Sequence, residues 1–328
     1  MEVTRKEVEK LLKKKYFIID ISIRPNGYIH FILEAEEEDP LEWHSFSTLA
    51  YYNDDDLWVY NHNGFHTQSL HGDYVGAPDN SYFILLTNGG VGRLSAPSGP
   101  EKDTPKIPPM GKSSPLFAKT LSDGKLYMTS HYRTVLRRDA PDQWTHLKGG
   151  LPSVAESIKE ADNSNRKLGF QSMDSFAENN IYAGGGNGDL WQWNGKKWKV
   201  IDLPMNSYID HVVCGGDGLV YISTNDGIIV GEKDKWEFAD INDDLDIIVE
   251  TMVWYKDRLY VATATQLYQI KDNHFSLSEL DSHKNRPLYW RTLAVGAGVM
   301  VAGYLDSVVI YDGKDLTKIL TLPNDIYS

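Results

Sequence analysis

The residues able to do chemistry are few and scattered. His62 and His66 stand four apart, which on a helix would put two imidazoles on one face, but Gly64 between them marks a turn. The ten histidines show no other paired motif of the kind zinc sites use. Asp240, Asn242, Asp243, Asp244 and Asp246 supply hard oxygens suited to a cation. That run lacks the glycine and closing glutamate of an EF-hand loop and reads as a solvated acidic loop, as do Asp54-Asp55-Asp56 and Glu36-Glu37-Glu38-Asp39. Cys214 follows apolar residues and precedes Gly215-Gly216, the setting of a small buried hydrophobe. No Gly-x-Ser-x-Gly elbow is present. Gly184-Gly185-Gly186 and Asn187-Gly188 lack the Lys-Ser/Thr ending of a phosphate loop. The expectation is a protein that is not an enzyme and uses no cofactor and no metal.

Composition narrows the partners. The chain has 328 residues, with 33 Lys and Arg against 46 Asp and Glu, a net charge of −13. An acidic chain is a poor match for phosphate backbones, so nucleic acid is not expected as the ligand. No apolar run reaches the roughly 18–20 residues of a membrane span. The one cysteine excludes an intrachain disulfide, and a cytoplasmic location is expected.

The elements that must position any site are strands. Nine Asn-Gly or Asp-Gly pairs, at Asn26, Asn63, Asn88, Asn187, Asn194, Asp123, Asp217, Asp226 and Asp312, supply the left-handed residues of tight hairpins. Ile181-Tyr182-Ala183-Gly184, Val220-Tyr221-Ile222-Ser223, Leu259-Tyr260-Val261-Ala262 and Val299-Met300-Val301-Ala302 recur at spacings of 39, 39 and 40. Leu126-Tyr127-Met128-Thr129 joins the set once a polar insertion at 153–168 is removed, and Tyr82-Phe83-Ile84-Leu85 lies one unit upstream. Each repeated strand has one strand before it and two after it. Four short strands in about 40 residues are the mark of a propeller blade, whose faces only neighbouring blades can bury.

The expected fold is therefore all-β, a single β-propeller over 17–328. Five units stand out, at about 114–152, 169–205, 207–243, 246–281 and 287–323, with less regular ones at 17–70 and 72–112. Seven blades of four antiparallel strands is the expected count, or six if the N-terminal regions merge. Residues 1–16 read as a short amphipathic helix, with Thr4 and Glu7 at capping-box spacing. That segment carries +3 and leaves −16 on the body.

The stretch Ile181-Tyr182-Ala183-Gly184-Gly185-Gly186, then Leu190-Trp191-Gln192-Trp193, Trp198 and Leu203-Pro204, resembles a kelch-type blade. Ser223-Thr224-Asn225-Asp226-Gly227 resembles the Asp-box turn of sialidase-like propellers. The resemblance implies propeller architecture. His131, Thr224 and Thr265 stand where further kelch glycines would be expected. A sialidase-like site would need clustered arginines, but Arg93, Arg133, Arg258 and Arg291 are scattered. Copper chemistry of the galactose-oxidase kind would need a cysteine beside a tyrosine among metal ligands, and Cys214 has no such setting.

What remains is a binding face, because fold alone does not assign function. In a propeller the turns between second and third strands share one end with the connections between blades. That end would display His131, Tyr132, Arg133, Tyr208, Asn225, Asp226, Asp243, Asp244, Asp246, His283, Arg286 and Asp306. The insertion, with Ser153 and Glu156 placed to cap a helix, would rise over it. The primary reading is a non-catalytic acidic propeller that binds a protein partner, such as a bacterial immunity protein neutralising a basic toxin. Two alternatives are a carbohydrate-binding propeller stacking sugars on Trp58, Trp191, Trp193 and Trp198, and a propeller hydrolase or lyase.

Overall fold

The computed structural model describes residues 16–35, 46–51, 57–62, 71–75, 82–86, 93–96, 99–100, 115–140, 143–164, 168–186, 188–241, 247–305 and 307–321. Side chains are described over 17–33 and in the segments from 116 onward, except at 162–164. The N-terminal helix expected over 1–16 lies outside the described residues.

The chain forms an all-β single β-propeller. Between Pro115 and Thr321 it builds five blades, each a four-stranded antiparallel meander. They comprise β9 to β12 (Pro115–Thr120, Leu126–Ser130, Thr134–Ala140, Gln143–His146) and β13 to β16 (Ser172–Ala177, Asn180–Gly185, Asp189–Trp193, Trp198–Ile201). Next come β17 to β20 (Ile209–Cys214, Val220–Thr224, Gly227–Glu232, Lys235–Phe238). The last two are β21 to β24 (Thr251–Tyr255, Arg258–Ala262, Leu267–Lys271, His274–Leu277) and β25 to β28 (Thr292–Gly296, Val299–Gly303, Ser307–Tyr311, Leu316–Thr321).

This corrects the expectation of seven, or six, blades: five blades follow the repeat. Two further four-stranded sheets precede them, β1 to β4 (Tyr16–Ile23, Ile29–Ala35, Phe46–Tyr51, Leu57–His62) and β5 to β8 (His71–Val75, Tyr82–Leu86, Arg93–Ala96, Gly99–Pro100). The second of these ends on a two-residue strand whose proline has no N–H to give a ladder. Strand β1 pairs within its own sheet and packs on β25 of the last blade. The Ile18 amide donates to the Tyr304 carbonyl (3.1 Å), and Thr292 Oγ1 donates to the Ile18 carbonyl (3.1 Å). Ring closure is thus a packing contact between sheets, with no strand exchanged between them.

Two of the repeated tyrosines share a physical cause. Tyr127 and Tyr221 are buried on second strands, and their hydroxyls donate back to Asp123 (2.9 Å) and Asp217 (2.6 Å) in the preceding hairpins. The other oxygen of each aspartate accepts a turn amide, from Lys125 (3.1 Å) and Leu219 (3.0 Å). Gly124 and Gly218 then take the left-handed positions (φ +73° and +87°). One Asp-Gly-x-x-Tyr unit therefore closes the turn and satisfies a buried phenol. Each core cluster lies between neighbouring blades, as Phe170, Trp191 and Trp198 do with Tyr127, Val135 and Leu147.

His30 on β2 is buried beside Arg24. Burial first, and the Arg24 charge second, push its pKa down to about 3. The unfolded chain binds a proton near pH 6.5 that the folded one refuses until about 3, so His30 lowers stability as pH falls through that window. At about pH 4.5 the loss is about 2–3 kcal/mol relative to pH 7. Denaturation midpoints at the two pH values should differ less in His30→Gln than in the parent; equal slopes would remove His30 as the cause.

Candidate functional site

All second-to-third-strand turns and all interblade connections of a meander fall at the same end of their sheets, here called the loop face. The turn between β10 and β11 is the most constrained part of it. Tyr132 and Arg133 both have positive φ (59° and 58°), a region that favours glycine, in the three-residue loop between the paired Ser130 and Thr134. The Tyr132 amide donates to the Leu168 carbonyl (3.2 Å), and His131 bridges to Gly169, so the turn grips the end of the insertion. A Cβ on Gly169 would lie 2.8 Å from the His131 Cα.

The insertion contains the single α-helix among the described residues, α1 (Val154–Ser164). Its expected capping box is formed: Ser153 Oγ accepts the Glu156 amide (3.2 Å), and Glu156 accepts the Ser153 amide (2.8 Å). Those bonds hold the Glu156 carboxyl below its usual range.

Arg133 is not a display residue, which corrects its expected role. Its side chain is 6% exposed, and its fork is filled from two sides. Nε lies 2.7 Å from Asp189 Oδ2 at the start of β15, while Nη1 and Nη2 meet Glu160 of α1 at 2.7 and 3.1 Å. Trp191 donates to the same aspartate (2.7 Å), and the guanidinium lies 5.3 Å from the Trp191 ring. One arginine thus joins a hairpin, the next blade and the inserted helix. The 56 residues between Arg133 and Asp189 hid this pairing from any local motif.

The other expected face residues fall on separate sectors. His131, Asn225 and Asp226 are exposed. The Ser207 hydroxyl bonds Asp226, and the Asp226 amide donates to Thr224 Oγ1 (3.1 Å). Tyr208 is half-buried, and burial, with the Asp210 charge beside it, pushes its pKa up to about 12, which keeps the phenol neutral. His283 and Arg286 lie beyond a 3-10 turn at Glu279–Ser282, where His283 Nδ1 accepts the Asn285 amide (3.1 Å) and Arg286 faces Asp281 (3.7 Å). Asp243, Asp244, Asp246 and Asp306 lie outside the described residues.

These residues do not converge on one reaction centre. Arg133, Arg258 and Arg291 bind different carboxylates, with Arg258 at 3.0 Å from Asp257 and Arg291 at 2.7 Å from Glu250. Burial pushes the Cys214 thiol well above its usual range. Trp191, Trp193 and Trp198 are packed between blades and are closed to a sugar; the side chain of Trp58 is outside those described. Among the described residues, no three His, Cys, Asp or Glu side chains could hold a metal ion, and no helix is long and apolar enough to cross a membrane.

A notch that sequence inspection missed opens where the ring closes. It has a volume of about 470 Å³ and is lined by Phe17, Ile19, Glu250, Arg291, Thr292 and Tyr304. Arg291 lies over the Tyr304 ring (5.0 Å) and donates to its hydroxyl (2.9 Å). These residues sit at strand starts and a turn on three sheets, so no sequence window contains them.

Fold and face together define a β-propeller. No family model matches the chain, and the kelch and Asp-box likenesses gain no support beyond the architecture. The chain is similar to the immune protein Tsi7 of Pseudomonas aeruginosa strain PAO1, 29% identical over 200 residues. That match covers 60% of this chain and 61% of the relative, so it spans about three-fifths of the relative's length. Among solved structures the chain resembles YCF48 from Cyanidioschyzon merolae, with TM-score 0.61, 12% identity, and 90% and 95% of the two chains covered. It also resembles the extracellular domain of the hybrid two component system BT3049 from B. thetaiotaomicron, with TM-score 0.59, 14% identity, and 89% and 39% covered. These structural likenesses carry the fold alone.

Proposed function

We propose that this chain is a non-catalytic immunity protein of the cytoplasm that binds a basic protein toxin through its loop face and blocks it. The likeness to an immune protein, 29% identical over 200 residues, carries this reading. The net charge of −13 supports a basic partner, since opposite charge steers encounter and disfavours like-charged competitors. The face is built for contact: exposed polar turns stand on a rigid ring, and a capped helix is held over one sector by buried charge.

An immunity protein must be made whenever its toxin is made, which linked genes ensure, so the test uses the purified product of the adjacent gene. The expected result is a stable complex by titration calorimetry, with association slowed at least about tenfold between about 0.05 and 0.3 M salt. Co-expression should also restore growth to cells making that product. No complex at the lower salt, together with no rescue, would end this reading.

A further inference from the structure

We propose that the partner is gripped at an apolar hot spot beside the ring-closure notch, centred on Ile248 and Leu288, by a segment presenting a bulky apolar side chain flanked by lysine or arginine. This rests on the protein-binding reading above and specifies where and how contact is made.

Ile248 is 76% exposed and Leu288 56% exposed, in the connections that lead into β21 and β25. Both residues have anchored neighbours. Ile247 and Val249 pack into the core on either side of Ile248. Two residues beyond Leu288, Trp290 is fully buried, and its amide donates to the Ala264 carbonyl (3.2 Å). Each aliphatic side chain is thus presented from an anchored backbone, which lowers the entropy lost on binding.

Six large hydrophobics are well exposed among the described residues, and four of them lie on these two connections or on the strand ends that enter them. Phe238 and Leu277, 45% and 46% exposed, end β20 and β24 at the loop face, just before the connections that carry Ile248 and Leu288. Apolar exposure concentrated on one sector marks an interaction site, whereas scattered single residues do not.

The adjoining notch adds the residue types that dominate interface energetics. Tyr304 is held by Phe17 (5.8 Å), Tyr289 (6.0 Å) and the Arg291 guanidinium. Arg291 is already occupied by Glu250, so the notch is not an anion trap. Asp240 and Glu279 are exposed carboxylates on these two connections, and the exposed Glu237 precedes Phe238 on β20. Of the basic residues on the connection that carries Leu288, Arg286 and Arg291 each face a carboxylate of this chain, at 3.7 and 2.7 Å, and Lys284 is exposed. An apolar anchor with a cationic fringe is the complementary surface.

The test measures binding of the purified adjacent-gene product to Ile248→Asp, Leu288→Asp and, as a charge-matched control away from the loop face, Val200→Asp, an exposed aliphatic (46%) on β16. The aspartates add negative charge, so a purely electrostatic contact with a basic partner would hold or tighten. The expected result is at least about a tenfold loss of affinity in Ile248→Asp and in Leu288→Asp, with the control unchanged. Unchanged or tighter binding in those two variants, or a loss matched by the control, would overturn the hot spot and leave the protein-binding reading intact. No binding by the parent chain would overturn both. Unchanged denaturation midpoints, expected for exposed positions, show that a loss reflects the surface and not the fold.

Discussion

Arg133→Met should destabilise the protein by about 3–5 kcal/mol, the usual cost of breaking a buried ion pair from one side. The two buried members decide this figure: Arg133 and Asp189 are each 6% exposed and 2.7 Å apart. Glu160 is 41% exposed, so its share is discounted for solvent screening. Methionine roughly fills the stem's volume but leaves the Asp189 carboxylate buried with only the Trp191 N–H for company. Arg133→Lys should recover only part of the loss, because a point charge cannot serve Asp189 and Glu160 in two planes at once. The double variant Arg133→Met/Asp189→Asn should be more stable than Arg133→Met alone, since it no longer buries an orphaned charge. Chemical denaturation measures all three. Hydrogen exchange across α1 supplies a second readout: amides of 154–164 should lose protection in Arg133→Met and in Glu160→Gln. Unchanged protection in both would mean that the helix is held by something other than this arginine.

The same residue shows where sequence reading stops. The repeat puts Arg133 on the loop face because its turn belongs there, and the turn does lie there. What the sequence could not show is that its side chain folds back under the insertion toward a blade that begins some 40 residues later. The periodic features are local and were legible: Asp-Gly-x-x-Tyr is five residues long, and its two hydrogen bonds close within it. The Ser153–Glu156 capping box is equally local. The notch at ring closure is the opposite case. Phe17 and Tyr304 are 5.8 Å apart in space and at opposite ends of the described chain, and nothing in either neighbourhood announces the other.

Blade number was legible only as far as the repeat was. From Pro115 onward each blade carries its apolar second strand, and the five expected units coincide with five blades. Before that point the pattern decays, and a two-residue strand ending in proline replaces a full outer strand. The tryptophans show a related ambiguity. A repeated Trp suits a sugar platform and a blade wedge equally well in sequence, and only burial separates the two uses.

Trp198 makes that separation measurable, and Trp198→Ala should cost about 3–5 kcal/mol, the range for deleting a buried aromatic. The ring is 2% exposed and stacks on Phe170 (5.8 Å) and against Trp193 (5.5 Å). Its indole N–H donates to the Leu147 carbonyl (2.9 Å), and its backbone amide donates to the Gly149 carbonyl (2.7 Å). The first of these bonds is lost in the alanine variant, so a buried carbonyl is left unsatisfied as well as a cavity opened. Leu147 and Gly149 belong to the segment between β12 and α1, so Trp198 ties the stem of the insertion to the next blade. Trp198→Phe should keep much of the packing while losing the indole donor, and should fall between parent and alanine. If Trp198 instead served as an exposed sugar platform, the alanine variant would denature with the parent's midpoint. A drop in midpoint of the expected size, with Trp198→Phe intermediate, assigns the ring to the seam between blades.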